Sequence, residues 1–154
     1  MKTMKSLATL TLCIISAFGT SVVLNTQQAK AQQPYCSNAT LKGLYAFQSS
    51  GFINSGSTPL NAVFLNRFDG NGNGTGSNGT TSVGGNITEN ITSTATYQVN
   101  DNCSVSFTFK NTDGTVVTGN GIVINKGREV SFIQTNPGTN VSGTFKKVNN
   151  SLDR

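Results

Sequence analysis

Histidine is absent from this chain of 154 residues, tryptophan is absent too, and charged residues make up only 11% of it. Without histidine the usual general base, the commonest metal ligand and the hydrolase triads in their common form are missing. Acids are scarce as well. Asp69, Glu89, Asp101, Asp113, Glu129 and Asp153 are the whole set, and nearly all fall in predicted turns, where a carboxylate stays solvated and ionised. Glu129 beside Arg128 opens a predicted strand and reads as a strand-end charge. The sequence holds no catalytic constellation, metal cluster or nucleotide-binding loop, and it implies no cofactor. Beyond residue 31, no window repeats apolar residues at helical spacing for three turns; β-branched residues, Gly and Asn dominate instead.

The N-terminus reads as an export signal. Lys2 and Lys5 precede an apolar run from Leu7 to Phe18, and Ala29-Lys30-Ala31 places small residues at the two positions a signal peptidase reads. Residues 1–31 are therefore expected to be a cleaved signal peptide. The run is interrupted by Ser and Thr and falls short of the roughly 20 residues that span a bilayer. Leu12 before Cys13 is too large for a lipid-attachment signal. Residues 32–154, 123 in number, then form a single domain. Loss of Lys2, Lys5 and Lys30 lowers the net charge from +5 to +2, with eight basic residues against six acids. That balance gives no reason to expect a nucleic-acid partner. The expected location is secreted or periplasmic, with no stable membrane insertion after cleavage. Two cysteines survive, Cys36 and Cys103, and in an oxidising compartment they are expected to pair. On the chain-entropy account a bridge over such a loop is worth about 4 kcal/mol. A redox pair would want Cys-X-X-Cys spacing, which is not there.

Alternation with period two governs the rest. Cys103, Val105, Phe107 and Phe109 alternate with Ser104, Ser106, Thr108 and Lys110, so one face is apolar and the other polar. Ala95, Tyr97 and Val99 repeat the pattern, as do Val141, Gly143 and Phe145. Further strands are predicted at about 41–50, 60–68, 74–83, 86–92 running into the Tyr97 segment, 116–125 and 129–135, for seven to nine in all. Short strands and short turns predict an all-β, antiparallel up-and-down barrel of about eight strands, since closure removes exposed edges. A β-sandwich is the alternative, because periodicity does not distinguish closure from two packed sheets.

The densest turn signal is Phe68-Asp69-Gly70-Asn71-Gly72-Asn73-Gly74-Thr75-Gly76, where Asp-Gly and Asn-Gly pairs supply the positive φ angles of primed hairpin turns. Asp69, Asn71, Asn73 and Gly74 match the first half of an EF-hand loop, but the closing bidentate position is Thr80 and no flanking helices are predicted. A plain hairpin is the reading. The stretch from Gly70 to Asn90 carries no aromatic residue and allows a long mobile hairpin. Eight Asn-X-Ser/Thr triplets occur, at Asn38, Asn73, Asn78, Asn86, Asn90, Asn102, Asn140 and Asn149; composition alone generates several, and they are read as incidental outside a eukaryotic host.

Taken together, Cys36 with Leu41-Lys42-Gly43-Leu44-Tyr45-Ala46-Phe47, then Phe68-Asp69-Gly70-Asn71-Gly72-Asn73, Tyr97 to Cys103, Phe132-Ile133-Gln134, Pro137-Gly138 and Val141-Ser142-Gly143 resemble a group of small secreted bacterial proteins. Those are similar in outline to allene oxide cyclase-like and dirigent-like barrels, of calycin type. The resemblance implies an eight-stranded barrel and allows a ligand pocket. Its motifs are turn and strand signatures, so it carries over no active residue.

On either basis the barrel interior is the candidate site. Tyr45, Phe47, Phe64, Tyr97, Phe107, Phe109, Phe132 and Phe145 are the predicted lining, with Phe68 among them, either packed as a core or surrounding a small apolar ligand. The leading expectation is an exported, non-enzymatic binding barrel. Two others stay open: a cell-surface, matrix or adhesion protein using its polar strand faces, and a cyclase-like or dirigent-like enzyme. A cavity of some hundreds of Å³ would favour the first and third, and a filled interior the second.

Overall fold

Period-two alternation resolves into eight antiparallel strands: β1 Gly43–Ile53, β2 Thr58–Phe68, β3 Asn73–Val83, β4 Asn86–Val99, β5 Ser104–Asn111, β6 Val116–Ile124, β7 Glu129–Gln134 and β8 Asn140–Lys147. The computed structural model describes residues 36–148. The expected signal peptide and its cleavage point lie outside the described residues. Each strand pairs with its neighbours in sequence, and β8 returns to β1, so the sheet is a closed barrel. Phe47 of β1 accordingly faces Phe64 of β2 on one side and Phe145 of β8 on the other. Closure leaves no edge with unpaired backbone groups, and it sets the sandwich alternative aside.

The alternation places side chains as expected. Along β4, Ile91, Ser93, Ala95, Tyr97 and Val99 are buried while the residues between them are exposed. The same phase in β5 buries Val105, Phe107 and Phe109.

The glycine-rich stretch 70–90 departs from the expectation of a mobile hairpin, since β3 and β4 are wall strands paired with neighbours on both sides. Two of its glycines are seats for neighbouring rings. A Cβ on Gly79 would lie 2.1 Å from Phe64 Cε1, and one on Gly74 would lie 2.8 Å from Phe68 Cδ1. Register shifts on both sides of β3, with Asn78 at positive φ, mark bulges that bend the wall around those rings. The turn after Phe68 is also a longer loop than a two-residue primed turn. Asp69 accepts hydrogen bonds from the backbone N–H groups of Asn71 and Asn73 through Oδ1, and from the Asn73 side chain through Oδ2. Those bonds hold the Asp69 carboxyl below its usual range.

The two ends of the barrel differ. At one, the loops after β2, β4 and β6 meet the segment that precedes β1. A single 3-10 turn, Asn38–Leu41, lies across this end with Leu41 buried. Cys36 forms a disulfide with Cys103 in the β4–β5 loop, the expected pair. Two tyrosines inside the barrel reach this cover: Tyr45 donates to the Gly127 carbonyl, and Tyr97 donates to the Asn38 carbonyl at 3.1 Å while accepting from the Gly70 N–H at 3.0 Å. The Asn38 side chain in turn accepts from the Val99 N–H at 2.7 Å. Burial pushes the Tyr45 phenol up to about 12, with nearby Tyr97 adding to the effect, and burial raises Tyr97 as well.

Candidate functional site

Inward positions at the covered end belong to a continuous aromatic cluster. Phe68 packs edge-on against Tyr45 at 5.4 Å between ring centroids and against Tyr97 at 5.0 Å, and Phe145 sits above them, 4.8 Å from Phe47. Tyr45 and Phe145 have essentially no exposed surface. These rings fill the lower barrel and form a floor.

Above that floor the barrel is hollow. A cavity of about 690 Å³ opens at the other end, between the loops after β1, β5 and β7. Its size falls in the range of about 300–1,000 Å³ that small-molecule sites occupy. Phe47, Phe64, Phe107, Phe109 and Phe132 form its lower wall, joined by Leu60, Val83 and Val117. Phe132 lies 5.4 Å from Phe47 and 5.3 Å from Phe107, so the wall is a set of mutually buttressed rings. Gly119 accommodates Phe107, because a Cβ there would stand 2.4 Å from Phe107 Cε2.

Of the eight aromatics expected to contact a ligand, the structure thus brings five to the cavity: Phe47, Phe64, Phe107, Phe109 and Phe132. Tyr45, Tyr97 and Phe145 share their inward phase but lie below, in the packed floor, and Phe68 lies with them.

Polar residues that the sequence reading did not single out complete the site. Ser49, Asn66 and Ser93 are buried and line the cavity. Asn66 sits between Phe64 and Phe68, and Ser93 between Ile91 and Ala95, so each is a polar residue in an apolar phase; that interruption was the available signal. At the mouth stand Asn54, Asn111, Gln134 and Asn136. The Asn136 side chain accepts from the Thr118 N–H at 2.8 Å and donates to the Val116 carbonyl at 3.0 Å, pinning β6 to the β7–β8 loop. The Ser55 N–H donates to the Gly138 carbonyl at 2.8 Å and ties the rim loops after β1 and β7 together. Asp113 at the rim is the sole ionisable residue among those lining the cavity.

Such a chamber can take up a mainly apolar molecule by burying it against aromatic walls, and can orient it through a few polar groups. Among the described residues no group of three or more His, Cys, Asp or Glu side chains gathers as a metal site.

No protein-family model matches the chain, and no curated protein matches it. Among solved structures it is similar in fold to a de novo designed fluorescence-activating β-barrel, at 14% identity and a TM-score of 0.47, over 70% of this chain and 93% of the designed one.

Proposed function

We propose that this protein is an exported binding barrel that takes one small, neutral, mainly apolar molecule into its cavity through the open end. The observation that carries this reading is a hollow of about 690 Å³, floored at one end and walled by Phe47, Phe64, Phe107, Phe109 and Phe132. An aromatic wall around an unfilled interior supports binding over simple packing, because a core with no occupant forgoes the dispersion contacts that dense packing provides. Export is supported by the Cys36–Cys103 disulfide, a bond that persists in oxidising compartments, and by the signal read at residues 1–31. Among the described residues no helix is long and apolar enough to cross a membrane.

The open interior favours this reading over adhesion through the outer strand faces, which would be served equally well by a filled barrel. The resemblance to allene oxide cyclase-like and dirigent-like barrels belongs with the same cavity. An enzyme built on it would steer a reactive apolar substrate by shape and hydrogen bonding, since Asp113 at the rim is its sole ionisable lining residue.

Native mass spectrometry of the protein isolated from its host's exported fraction tests the proposal, paired with titration of the purified chain 32–154 by the neutral dye N-phenyl-1-naphthylamine. The expected results are a releasable small-molecule mass on the disulfide-bonded chain and saturable one-to-one dye uptake that Ala62→Trp abolishes. A bare chain that also takes up no dye overturns the binding reading in favour of a surface role.

A further inference from the structure

The binding reading above leaves open what kind of small molecule the cavity selects, and the deep polar residues bear on that. Asn66 of β2 pairs with Gly76 of β3, and Gly76 pairs with Ser93 of β4, so the three form one rung across adjacent strands. All three lie in the inward phase, one inward position above the floor residue Phe68 on β2. Asn66 is 2% exposed and Ser93 7%. Both line the cavity, yet Asn66 Oδ1 and Ser93 Oγ find no hydrogen-bond partner among the described residues. Three buried side-chain oxygens are left in that condition, and two of them share this rung; the third, Thr144 Oγ1, is not part of the cavity lining.

Gly76 brings the two oxygens together. A Cβ on it would stand 2.2 Å from Ser93 Oγ and 2.9 Å from Asn66 Oδ1, so any side chain there would collide with both. Buried groups left unpaired lower stability, and a fold retains them at such positions when something else satisfies them.

We infer that Asn66 and Ser93 are the polar anchor of the cavity and that its ligand is an apolar molecule bearing a neutral hydroxyl, an alcohol or a phenol. The inference rests on the binding reading and narrows it. Asn66 Oδ1 accepts a hydrogen bond, and Ser93 Oγ donates one as well as accepting. A single ligand hydroxyl satisfies both, donating to Asn66 and accepting from Ser93. With Asn66 Oδ1 facing the rung, a ketone would accept from Ser93 and leave that oxygen unpaired. A carboxylate would face that acceptor with no Lys or Arg among the lining residues and with Asp113 as the sole charged neighbour at the rim. A hydrocarbon would satisfy neither group. The aromatic walls of the same cavity, Phe47, Phe64, Phe107 and Phe109, receive the apolar remainder.

Displacement of N-phenyl-1-naphthylamine by three matched competitors, 2-naphthol, naphthalene and 2-naphthoate, tests the anchor. On the natural chain 2-naphthol should compete about five- to ten-fold better than naphthalene, the selectivity one buried hydrogen bond provides, with 2-naphthoate weakest. In Ser93→Ala and in Asn66→Leu that preference should fall below about twofold while naphthalene still binds. Neither variant should lower the thermal midpoint of the empty protein, because each removes an unpartnered buried oxygen. Gly76→Ala, which crowds the rung, should lose the preference as well. Dye uptake with an unchanged preference in both Ser93→Ala and Asn66→Leu would overturn the anchor and leave the binding barrel standing. A fall in the thermal midpoint of both variants would likewise overturn it, by showing that the two oxygens serve the fold. Failure of the natural chain to bind the dye and all three competitors would overturn both.

Discussion

The two ends of this barrel are made from the same strands and the same kind of short loop, yet one is sealed and the other is open. The seal is supplied by chain outside the sheet: the segment before β1, laid across the end, bridged to Cys103 and grasped from inside by Tyr97, while Tyr45 holds the β6–β7 loop that packs against it. At the mouth, loops of similarly short length bond to each other around the rim and leave the middle clear. The cavity therefore rests on an asymmetry of both cover and filling: under the cap the rings of Tyr45, Phe68, Tyr97 and Phe145 pack the interior, whereas toward the mouth the inward residues Ser49, Ala62 and Thr81 are too small to fill it.

Substitutions should register that asymmetry. The largest effect is expected from paired truncations: Phe145→Ala, in the floor, should cost about 3–5 kcal/mol, as burial of a whole ring is lost and a void is left, whereas Phe64→Ala, partly exposed to the cavity, should cost about half as much or less. Urea denaturation of both measures the difference, and equal losses would mean that floor and wall are not distinct. Next comes the bridge. Replacing Cys36 and Cys103 by Ser should lower unfolding free energy by up to about 4 kcal/mol.

Tyr45→Phe should cost about 1–2 kcal/mol, because the Gly127 carbonyl loses its donor in a buried setting. It should also change the alkaline limb of the stability curve. Tyr45 is held neutral, so its contribution is complete below pH 10 and is lost as the pH rises toward 12. A series of thermal melts through that window should therefore fall more gently for Tyr45→Phe than for the natural chain. The smallest effect belongs to Asp69, a solvent-exposed residue at the sealed end. Its lowered pKa means that its contribution is present above pH 3.8 and fades as the pH drops below that value. Melts at successively lower pH should lose that increment in the natural chain and not in Asp69→Asn.

Much of this architecture was legible in the chain itself. Alternation through Val105, Phe107 and Phe109 identified inward faces, and the two cysteines left after the expected signal peptide identified the bridge. What alternation reports is the side of the sheet, and it carries no information on height along the barrel. Tyr45, Phe47 and Ser49 are successive inward residues of β1, yet the first belongs to the floor and the other two to the cavity. Height is decided by strand stagger and by where the 3-10 turn lies, both long-range outcomes. Glycines in β3 misled for a related reason. Locally they read as slack, whereas Gly79 and Gly74 are shaped by Phe64 and Phe68 on the strand alongside.

A chamber with a sealed base has a single doorway, and this constrains traffic through it. No molecule can push another out from behind, so an occupant must depart before its successor enters. On the proposed binding reading, replacement would proceed at the occupant's own escape rate however concentrated the newcomer, past the rim loops joined by Ser55 and Gly138. Such a vessel is suited to carrying and holding a cargo, and unsuited to relaying one from one side to the other.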